Sequence, residues 1–253
     1  MTIGVGFRCD MGIVLCADTQ ITWEGKHKAY ESKISYLSGI DWTMASVYAG
    51  DPHLMKSFRD KLRELVQLRP HGKESSAAEL REIIETALCC FDDLDSNPMA
   101  LSLIVGIIIP SKEIRLLKTE GKVISDVPVF DYVGCGDSSL LRYLAPITVD
   151  DARWPTISQA LYSGTYWVLQ AKQWIDGCGG DTDAFVLHWD GRMHRRSPAT
   201  PNWEQHLLRL QLGIAKLLTT LGDAEISENE VENRLSVFCE HFREEHALCI
   251  RGL

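Results

Sequence analysis

The order in which strand-like and helix-like segments follow one another most constrains the fold of this 253-residue chain. Four strands are predicted within the first fifty residues, and two amphipathic helices follow them. Strands return at 100–133, two more helices are predicted up to residue 174, and a late strand follows at 183–189. Such blocks bury their apolar faces against one another. The order predicts an α+β protein built as a four-layer αββα sandwich, with two packed sheets between outer helices.

Strand patterns are clearest near the N-terminus. Ile3–Cys9 predicts a strand, Asp10-Met11-Gly12 a tight turn, and 13–17 its hairpin partner. Further strands are predicted at 34–37, 42–48, 114–119 and 123–133. The nearly continuous apolar run at 100–109 predicts a strand that is covered on both faces, because a half-exposed strand would alternate apolar and polar residues.

Helix patterns occupy three parts of the chain. Apolar residues recur at three- and four-residue intervals from Pro52 to about Leu68 and again after Ser76, whose spacing to Glu79 fits a capping box. A short helix is predicted around 140–144, and a long one from Pro155 to about Trp174.

The last fifty residues form a separate pattern. Two amphipathic segments are predicted, the second beginning near Ser227 with Glu230 in capping position. We therefore expect a core domain at 1–200 and a C-terminal helical extension at 201–253. The extension either covers the core or packs on a neighbouring subunit during assembly.

Composition and charge exclude several classes of protein. The net charge of −9 argues against nucleic-acid binding, which favours a basic face. The chain has no run of 18 apolar residues that would predict a membrane-spanning helix. It begins directly with a strand pattern instead of a secretory signal, so we expect a cytoplasmic protein with no membrane partner.

Motifs for metals and cofactors are missing from the sequence. The eight cysteines show no CxxC spacing, and the eight histidines do not cluster with metal-ligand spacing. No GxGxxG opens a helix, and no P-loop lysine motif is present. We expect no metal and no organic cofactor, with the cysteines reduced.

Thr2 stands directly behind the initiator methionine. Removal of Met1 would leave Thr2 with a free α-amine next to its hydroxyl. An α-amine has a pKa of about 7.7–8.0, close to the value that a general base needs at neutral pH. A hydroxyl beside such an amine is an activated nucleophile. Thr2 is therefore a candidate catalytic nucleophile.

Motifs that follow Thr2 carry a family resemblance. Asp18 lies in the stretch Gly12-Ile-Val-Leu-Cys-Ala-Asp18-Thr-Gln-Ile-Thr22, Lys33 follows, and Ala49-Gly50-Asp51 ends a strand. This order and spacing resemble the proteasome-type threonine peptidases, which include the proteasome β-subunits and the peptidase component of the bacterial two-part ATP-dependent protease. The chain is identified as a less-studied bacterial homologue in that superfamily.

The resemblance implies the N-terminal nucleophile hydrolase fold over the core and a role for each matching residue. Thr2 would attack a peptide carbonyl, with its own amine moving the proton. Lys33 would stand nearby as an ammonium that favours the deprotonated amine and hydroxyl. Asp18 would pair with Lys33 and fix its position. Gly50 would donate its backbone N–H to the developing oxyanion.

Two later motifs resemble the family less closely. Gly134-Cys135-Gly136 is similar to its G-S-G turn, and Asp176-Gly-Cys178-Gly-Gly180 is similar to its D-A-Y-S-G-G segment with one residue missing. Cys135 and Cys178 stand where the family has serines around the threonine amine. A thiol is a weaker donor and acceptor than a hydroxyl. The role of Asp176 depends on where the missing residue is placed.

The resemblance implies a threonine endopeptidase that cleaves peptides or unfolded proteins. The family encloses its sites in rings or related homo-oligomers and is often fed by an ATP-dependent unfoldase, so such an unfoldase is a candidate partner. Two alternatives stay open. One is an N-terminal nucleophile amidase that acts on a small molecule. The other is a catalytically silent assembly subunit or scaffold, which would result if Met1 stays attached to Thr2.

Overall fold

A computed structural model describes residues 2–23, 27–69, 74–134, 138–149, 153–196, 203–221 and 227–250. The chain divides into two compact units, Met1–Pro198 and Ala199–Leu253. The first unit contains the strands and the candidate site. The second contains two helices.

The described residues form twelve strands. They are β1 (Ile3–Cys9), β2 (Gly12–Asp18), β3 (Gln20–Trp23), β4 (His27–Tyr30), β5 (Ile34–Ser38), β6 (Thr43–Gly50), β7 (Leu101–Ile109), β8 (Glu113–Glu120), β9 (Val123–Asp126), β10 (Phe130–Gly134), β11 (Thr182–His188) and β12 (Met193–Arg196).

The same part of the chain contains seven α-helices and a short 3-10 helix at Pro98–Ala100. The α-helices are α1 (Pro52–Gln67), α2 (Ala77–Cys89), α3 (Asp93–Ser96), α4 (Ser138–Thr148), α5 (Ile157–Trp174), α6 (Trp203–Leu221) and α7 (Glu228–Ile250).

Antiparallel pairing builds two five-stranded sheets and a ribbon. The first sheet has the order β10-β1-β2-β11-β12, and the second has the order β5-β6-β7-β8-β9. Strands β3 and β4 pair only with each other. Ile3 at the start of β1 lies opposite Gly134 of β10, and Thr182 of β11 lies opposite Asp18 of β2. The ends of four neighbouring strands therefore meet at one end of the first sheet.

Strand β7 is covered on both faces, as its apolar run predicts. All nine of its residues are buried. Leu103 belongs to a core with Phe58 of α1 and Ile84 of α2. The next residue, Ile104, belongs to a second core with Leu15 of the first sheet. Because successive strand residues point to opposite faces, one face of β7 meets helices and the other meets the first sheet.

Helix α5 covers the first sheet. Its N-terminus carries a capping box, in which the Thr156 hydroxyl accepts from the Gln159 N–H and the Gln159 side chain accepts from the Thr156 N–H. The buried Trp167 ring lies 5.2 Å from the rings of both Phe7 and Phe130, which belong to β1 and β10. Helices therefore pack on both sheets of a mixed α/β fold.

The second unit consists of α6 and α7, which contact each other. Helix α6 begins at Trp203 and α7 at Glu228, close to the predicted start at Ser227. The Glu230 N–H donates to the Ser227 hydroxyl at 3.4 Å, as capping requires. Several large apolar side chains of this unit are exposed, namely Leu212, Ile214, Leu218, Leu235 and Val237.

Five short elements were not predicted from the sequence: strands β3 and β4 of the ribbon, strand β12, helix α3 and the 3-10 helix at Pro98–Ala100. Each has at most four residues, which is too few for a periodic apolar pattern. No helix within the described ranges is long and apolar enough to cross a membrane.

Candidate active site

A buried ion pair lies at the end of the first sheet where the ends of its strands meet. The Lys33 ammonium donates to Asp18 Oδ1 at 2.8 Å and to the Gln20 carbonyl oxygen at 2.5 Å. The side chains of Asp18 and Lys33 expose 0% and 1% of their surface. A charge so fully removed from water is stable only with an opposite charge and hydrogen bonds. The structure thus brings together the two residues that were predicted to pair.

The Asp18 carboxylate also connects two other parts of the chain. Oδ1 accepts from the Ile3 N–H at 3.0 Å, and Oδ2 accepts from the Gly179 N–H at 3.1 Å. One side chain therefore joins the start of β1, the turn after α5 and Lys33.

Thr2 lies directly in front of β1 and exposes 7% of its surface. Its position is set from two sides. Asp18 binds the next residue, Ile3, and Gly134 of β10 packs against the Thr2 backbone. A Cβ built on Gly134 would lie 1.9 Å from the Thr2 carbonyl oxygen, and the φ of Gly134 is +111°. Only glycine fits this position, because it combines a left-handed φ with a close backbone approach.

Gly50 ends β6 near the same point. The Cβ of its neighbour Ala49 lies 3.3 Å from a Cβ built on Gly134. Gly50 has a φ of +121°, and Asp51 behind it caps α1 by accepting from the His53 N–H at 2.7 Å. The glycine therefore makes the sharp change from strand to helix. This structural role is compatible with an exposed backbone donor.

Of the remaining predicted residues, Cys178 is the one whose neighbour in the chain contacts the ion pair. It is buried in the turn after α5, and its neighbour Gly179 is the residue that donates to Asp18. Asp176 is exposed in the same turn, and no contact within the described residues joins it to Asp18. Cys135 and Met1 lie outside the described residues.

Gln20 is a part of this site that sequence reasoning did not assign. It is 4% exposed, and its side-chain amide donates to the Gly177 carbonyl at 3.2 Å. Its backbone N–H donates to the Gly179 carbonyl at 3.0 Å. Gln20 thus holds the 177–179 turn against the beginning of β3. The sequence feature that could have identified Gln20 is its position two residues after Asp18 in the motif.

A second buried carboxylate was also missed. Asp183 of β11 exposes none of its surface and accepts from the Ser32 hydroxyl and from the Arg195 guanidinium, whose Nη2 lies 2.6 Å away. Ser32 directly precedes Lys33, and its hydroxyl also accepts from the Ile34 N–H at 3.1 Å. The sequence feature that could have identified Asp183 is its position inside an apolar strand, because a buried charge needs a partner.

Tyr48 borders the ion pair without being able to act as a base. Its backbone N–H donates to the Lys33 carbonyl oxygen at 3.3 Å. Burial raises the pKa of Tyr48 to about 12, and the Glu31 carboxylate adds to the shift. The phenol therefore stays neutral near pH 7. In the described part of the chain, no group of three or more His, Cys, Asp or Glu side chains could hold a metal ion.

Three solved structures of Anbu proteins resemble this fold. Anbu from Yersinia bercovieri, described as an ancestral β-subunit, matches with a TM-score of 0.74 and 13% identity, covering 89% of this chain and 100% of its own. An Anbu mutant from Hyphomicrobium sp. strain MC1 matches with a TM-score of 0.71 and 16% identity, covering 90% and 100%.

The helical assembly of the Anbu complex from Pseudomonas aeruginosa matches with a TM-score of 0.66 and 15% identity, covering 88% of this chain and 98% of its own. At such identities the similarity to Anbu shows the fold alone. No family model matches the chain, and neither does any curated protein.

These matches correct the family assignment. The motifs from Thr2 to Gly180 identified the chain as a less-studied bacterial homologue in the superfamily of the proteasome β-subunits and the bacterial peptidase component, and that identification is wrong. The similar structures are Anbu proteins, which are proteasome-like but form a distinct family. The motifs led to the wrong family because they describe only the residues at one end of the first sheet. Such an arrangement can be common to several families that share a fold, whereas the whole structure distinguishes them.

Proposed function

We propose that this protein is a threonine peptidase that cleaves peptide bonds through Thr2 after removal of Met1. One observation carries the proposal: the buried Lys33–Asp18 pair is hydrogen-bonded to the backbone N–H of Ile3, directly behind Thr2. A fixed ammonium beside an N-terminal threonine favours the unprotonated amine that must act as the base. A lysine without a role at this site would lie at the protein surface, where water hydrates its charge.

The chemical steps need only residues at this end of the first sheet. The Thr2 hydroxyl attacks the peptide carbonyl while the Thr2 α-amine accepts the hydroxyl proton. The Gly50 backbone N–H donates to the resulting oxyanion, which contributes roughly 2.7–4 kcal/mol for a well-placed donor. The amine then passes its proton to the leaving nitrogen as the C–N bond breaks, leaving an ester on Thr2. Water hydrolyses that ester, with the amine again accepting a proton.

The other three predicted residues have supporting roles in this proposal. Cys135 and Cys178 would replace hydroxyls around the Thr2 amine, and Asp176 would complete the same turn. Cys178 has the best support, because it is buried and its neighbour Gly179 binds Asp18. The weaker hydrogen bonding of a thiol predicts a slower enzyme than one with serines.

The fold belongs to the same proposal. A four-layer αββα sandwich of the N-terminal nucleophile type is supported by α1 and α2 on the second sheet, α5 on the first sheet and the apolar residues shared between the two sheets. The core would extend over 1–200. The extension at 201–253 would serve in assembly.

We also infer a homo-oligomer in the cytoplasm that encloses the Thr2 sites and takes peptides or unfolded proteins, with an ATP-dependent unfoldase as a candidate partner. The Anbu complex from Pseudomonas aeruginosa is a helical assembly, and the likeness of its fold to this chain supports self-association. The exposed apolar residues of α6 and α7 support it as well.

Intact-mass measurement tests the peptidase before any substrate is known. We expect the purified protein to lack the mass of one methionine and to gain one β-lactone or epoxyketone adduct at Thr2. Complete retention of Met1 would refute the peptidase. The protein would then be the catalytically silent assembly subunit, the alternative that the replacement of the family serines by Cys135 and Cys178 favours.

A further inference from the structure

A cavity lies at the opposite end of β1 from Thr2. Its volume is about 480 Å³, and its wall includes Arg8, the turn residue Met11, and Trp154 and Trp189. The size falls within the range of about 300–1,000 Å³ that is typical of small-molecule sites. Thr2 and Arg8 are six positions apart along an extended strand, or roughly 20 Å. The cavity is therefore separate from the candidate active site.

Arg8 is the group in this cavity whose interactions are incomplete. Its guanidinium carbon lies 4.1 Å from the centroid of the Trp154 ring, so the cation rests on the aromatic face. Its Nε is buried and has no hydrogen-bond partner within the described residues. No ion pair of the described part of the chain involves Arg8. The guanidinium therefore lacks one of its hydrogen bonds, and a buried donor without an acceptor is unfavourable.

The other cations of the cavity already have carboxylate partners. Arg115 binds Glu113 at 2.8 Å and Asp126 at 3.4 Å, and Lys112 binds Glu74 at 2.9 Å. Burial, and next the nearby Arg115 charge, lower the pKa of Arg8, while the Asp126 and Glu113 carboxylates act in the opposite direction. Among the cations that line the cavity, Arg8 is thus the one without a carboxylate partner in the described part of the chain.

The chemistry of the wall determines what kind of anion fits. One cation without a carboxylate partner suits one negative charge, and the nearby Asp10 carboxylate disfavours an ion with several charges. A guanidinium presents a planar fork that suits a carboxylate. Trp154 is 49% exposed and Met11 is 55% exposed, so both offer apolar surface to a ligand.

We propose that this cavity binds a monocarboxylate, with the carboxylate on Arg8 and an apolar body against Trp154 and Trp189. The carboxylate belongs either to a free small molecule or to the C-terminus of a peptide. Both sources share this recognition chemistry. The proposal does not depend on Thr2 being catalytic.

Calorimetric titration of the full chain tests the site with benzoate, with a tripeptide that ends in phenylalanine, and with the amide of that tripeptide. We expect saturable binding of benzoate or of the free-acid peptide. Binding of benzoate alone would identify a small-molecule site, whereas tighter binding of the free-acid peptide would identify a peptide C-terminus. The amide should bind at least tenfold more weakly than the acid.

Variants decide whether Arg8 is responsible. Arg8→Gln should weaken binding at least tenfold, whereas Arg63→Gln on α1, which removes an equal charge elsewhere, should leave it unchanged. If circular dichroism shows that Arg8→Gln does not fold, Arg8→Lys replaces it, since it keeps the charge but loses the fork, and should bind several-fold more weakly. The proposal is overturned by equal affinity in the Arg8 variant, by no saturable binding of either acid, or by tighter binding of inorganic phosphate.

Discussion

The ammonium of Lys33 lies 2.8 Å from the carboxylate of Asp18, and the two side chains are almost completely shielded from solvent. The residues between them form the ribbon β3–β4, which leaves β2 and returns beside it. The Glu31 N–H donates to the Thr19 carbonyl oxygen at 2.9 Å and closes the base of the ribbon. The ribbon therefore delivers Lys33 to the end of β2, and each charge of the pair depends on the other.

Removing one partner of this pair should destabilise the protein strongly. Lys33→Met leaves the Asp18 carboxylate buried without its cation, and we expect a loss of about 3–5 kcal/mol in the free energy of unfolding. Urea denaturation measures this loss. Lys61→Met, which breaks the exposed Lys61–Glu64 pair, should cost no more than about 1 kcal/mol. Equal losses in the two variants would contradict the importance of the buried pair.

Thr2→Ala should reduce peptide turnover and β-lactone labelling to background, because the nucleophilic oxygen is lost while the α-amine remains. Thr2→Ser keeps both groups and should retain labelling. Mass spectrometry reports the adduct, and light scattering reports the assembly, which we expect to be the same in all three proteins. Undiminished turnover of Thr2→Ala would show that another residue performs the chemistry.

Gly134→Ala should disturb the position of Thr2. The new Cβ would meet the Thr2 carbonyl oxygen at 1.9 Å, in addition to the strain of a left-handed φ. Gly191→Ala is the matched control. Gly191 also has a positive φ, of +86°, but a Cβ built on it would lie 3.0 Å from its nearest neighbour, Pro110 Cγ. We expect about 1 kcal/mol of destabilisation for the control and about 1–3 kcal/mol more for Gly134→Ala. Thermal unfolding compares the two, and a milder effect at Gly134 would argue against the close approach.

Asp41 should make the stability depend on pH in the acid range. Its carboxylate accepts from the Ser75 N–H and hydroxyl, each at 2.7 Å, and the backbone bond is the main cause that lowers the pKa of Asp41. A lowered folded pKa means that the contribution is present above the unfolded value of about 3.9 and is lost as the pH falls through the folded value.

Asp41→Asn should therefore lower the free energy of unfolding by about 1 kcal/mol at pH 7. The difference from the native protein should shrink below about pH 4. Glu85→Gln on the exposed side of α2 removes an equal charge and should show no such convergence. Denaturant titrations at pH 7 and pH 3 make the comparison, and a difference independent of pH would contradict the assignment to Asp41.

The exposed apolar residues of α6 should take part in assembly. Leu218 is 63% exposed, and Leu218→Glu would place a charge where we propose that a neighbouring subunit packs. We expect a smaller particle by light scattering with an unchanged melting temperature. Thr219→Glu adds the same charge at the next position and should leave the particle intact. Equal effects of the two changes would indicate a general charge effect.

Several features of this fold could be predicted from the sequence because they rest on local patterns. The nearly continuous apolar run of β7 predicted a strand covered on both faces, and the structure confirms this. The predicted start of α2 near Ser76 is confirmed, because the Ser76 hydroxyl accepts from the Glu79 N–H at 3.2 Å. In such cases the physical cause lies within a few residues of its effect. The four-residue strands of the ribbon carry no comparable pattern.

The sequence by itself determined the order of the longer strands and helices, the presence of Thr2 behind Met1, and the motifs whose family resemblance implied the Asp18–Lys33 pair. Only the tertiary structure decided that Ile3, Gly179 and Lys33 converge on one carboxylate, since hydrogen bonds between distant segments leave no local period. It likewise decided that Asp183 has Arg195 as its counterion and that the whole fold resembles Anbu. Charges buried between strands are satisfied by residues far away in the chain, and folding alone brings those residues together.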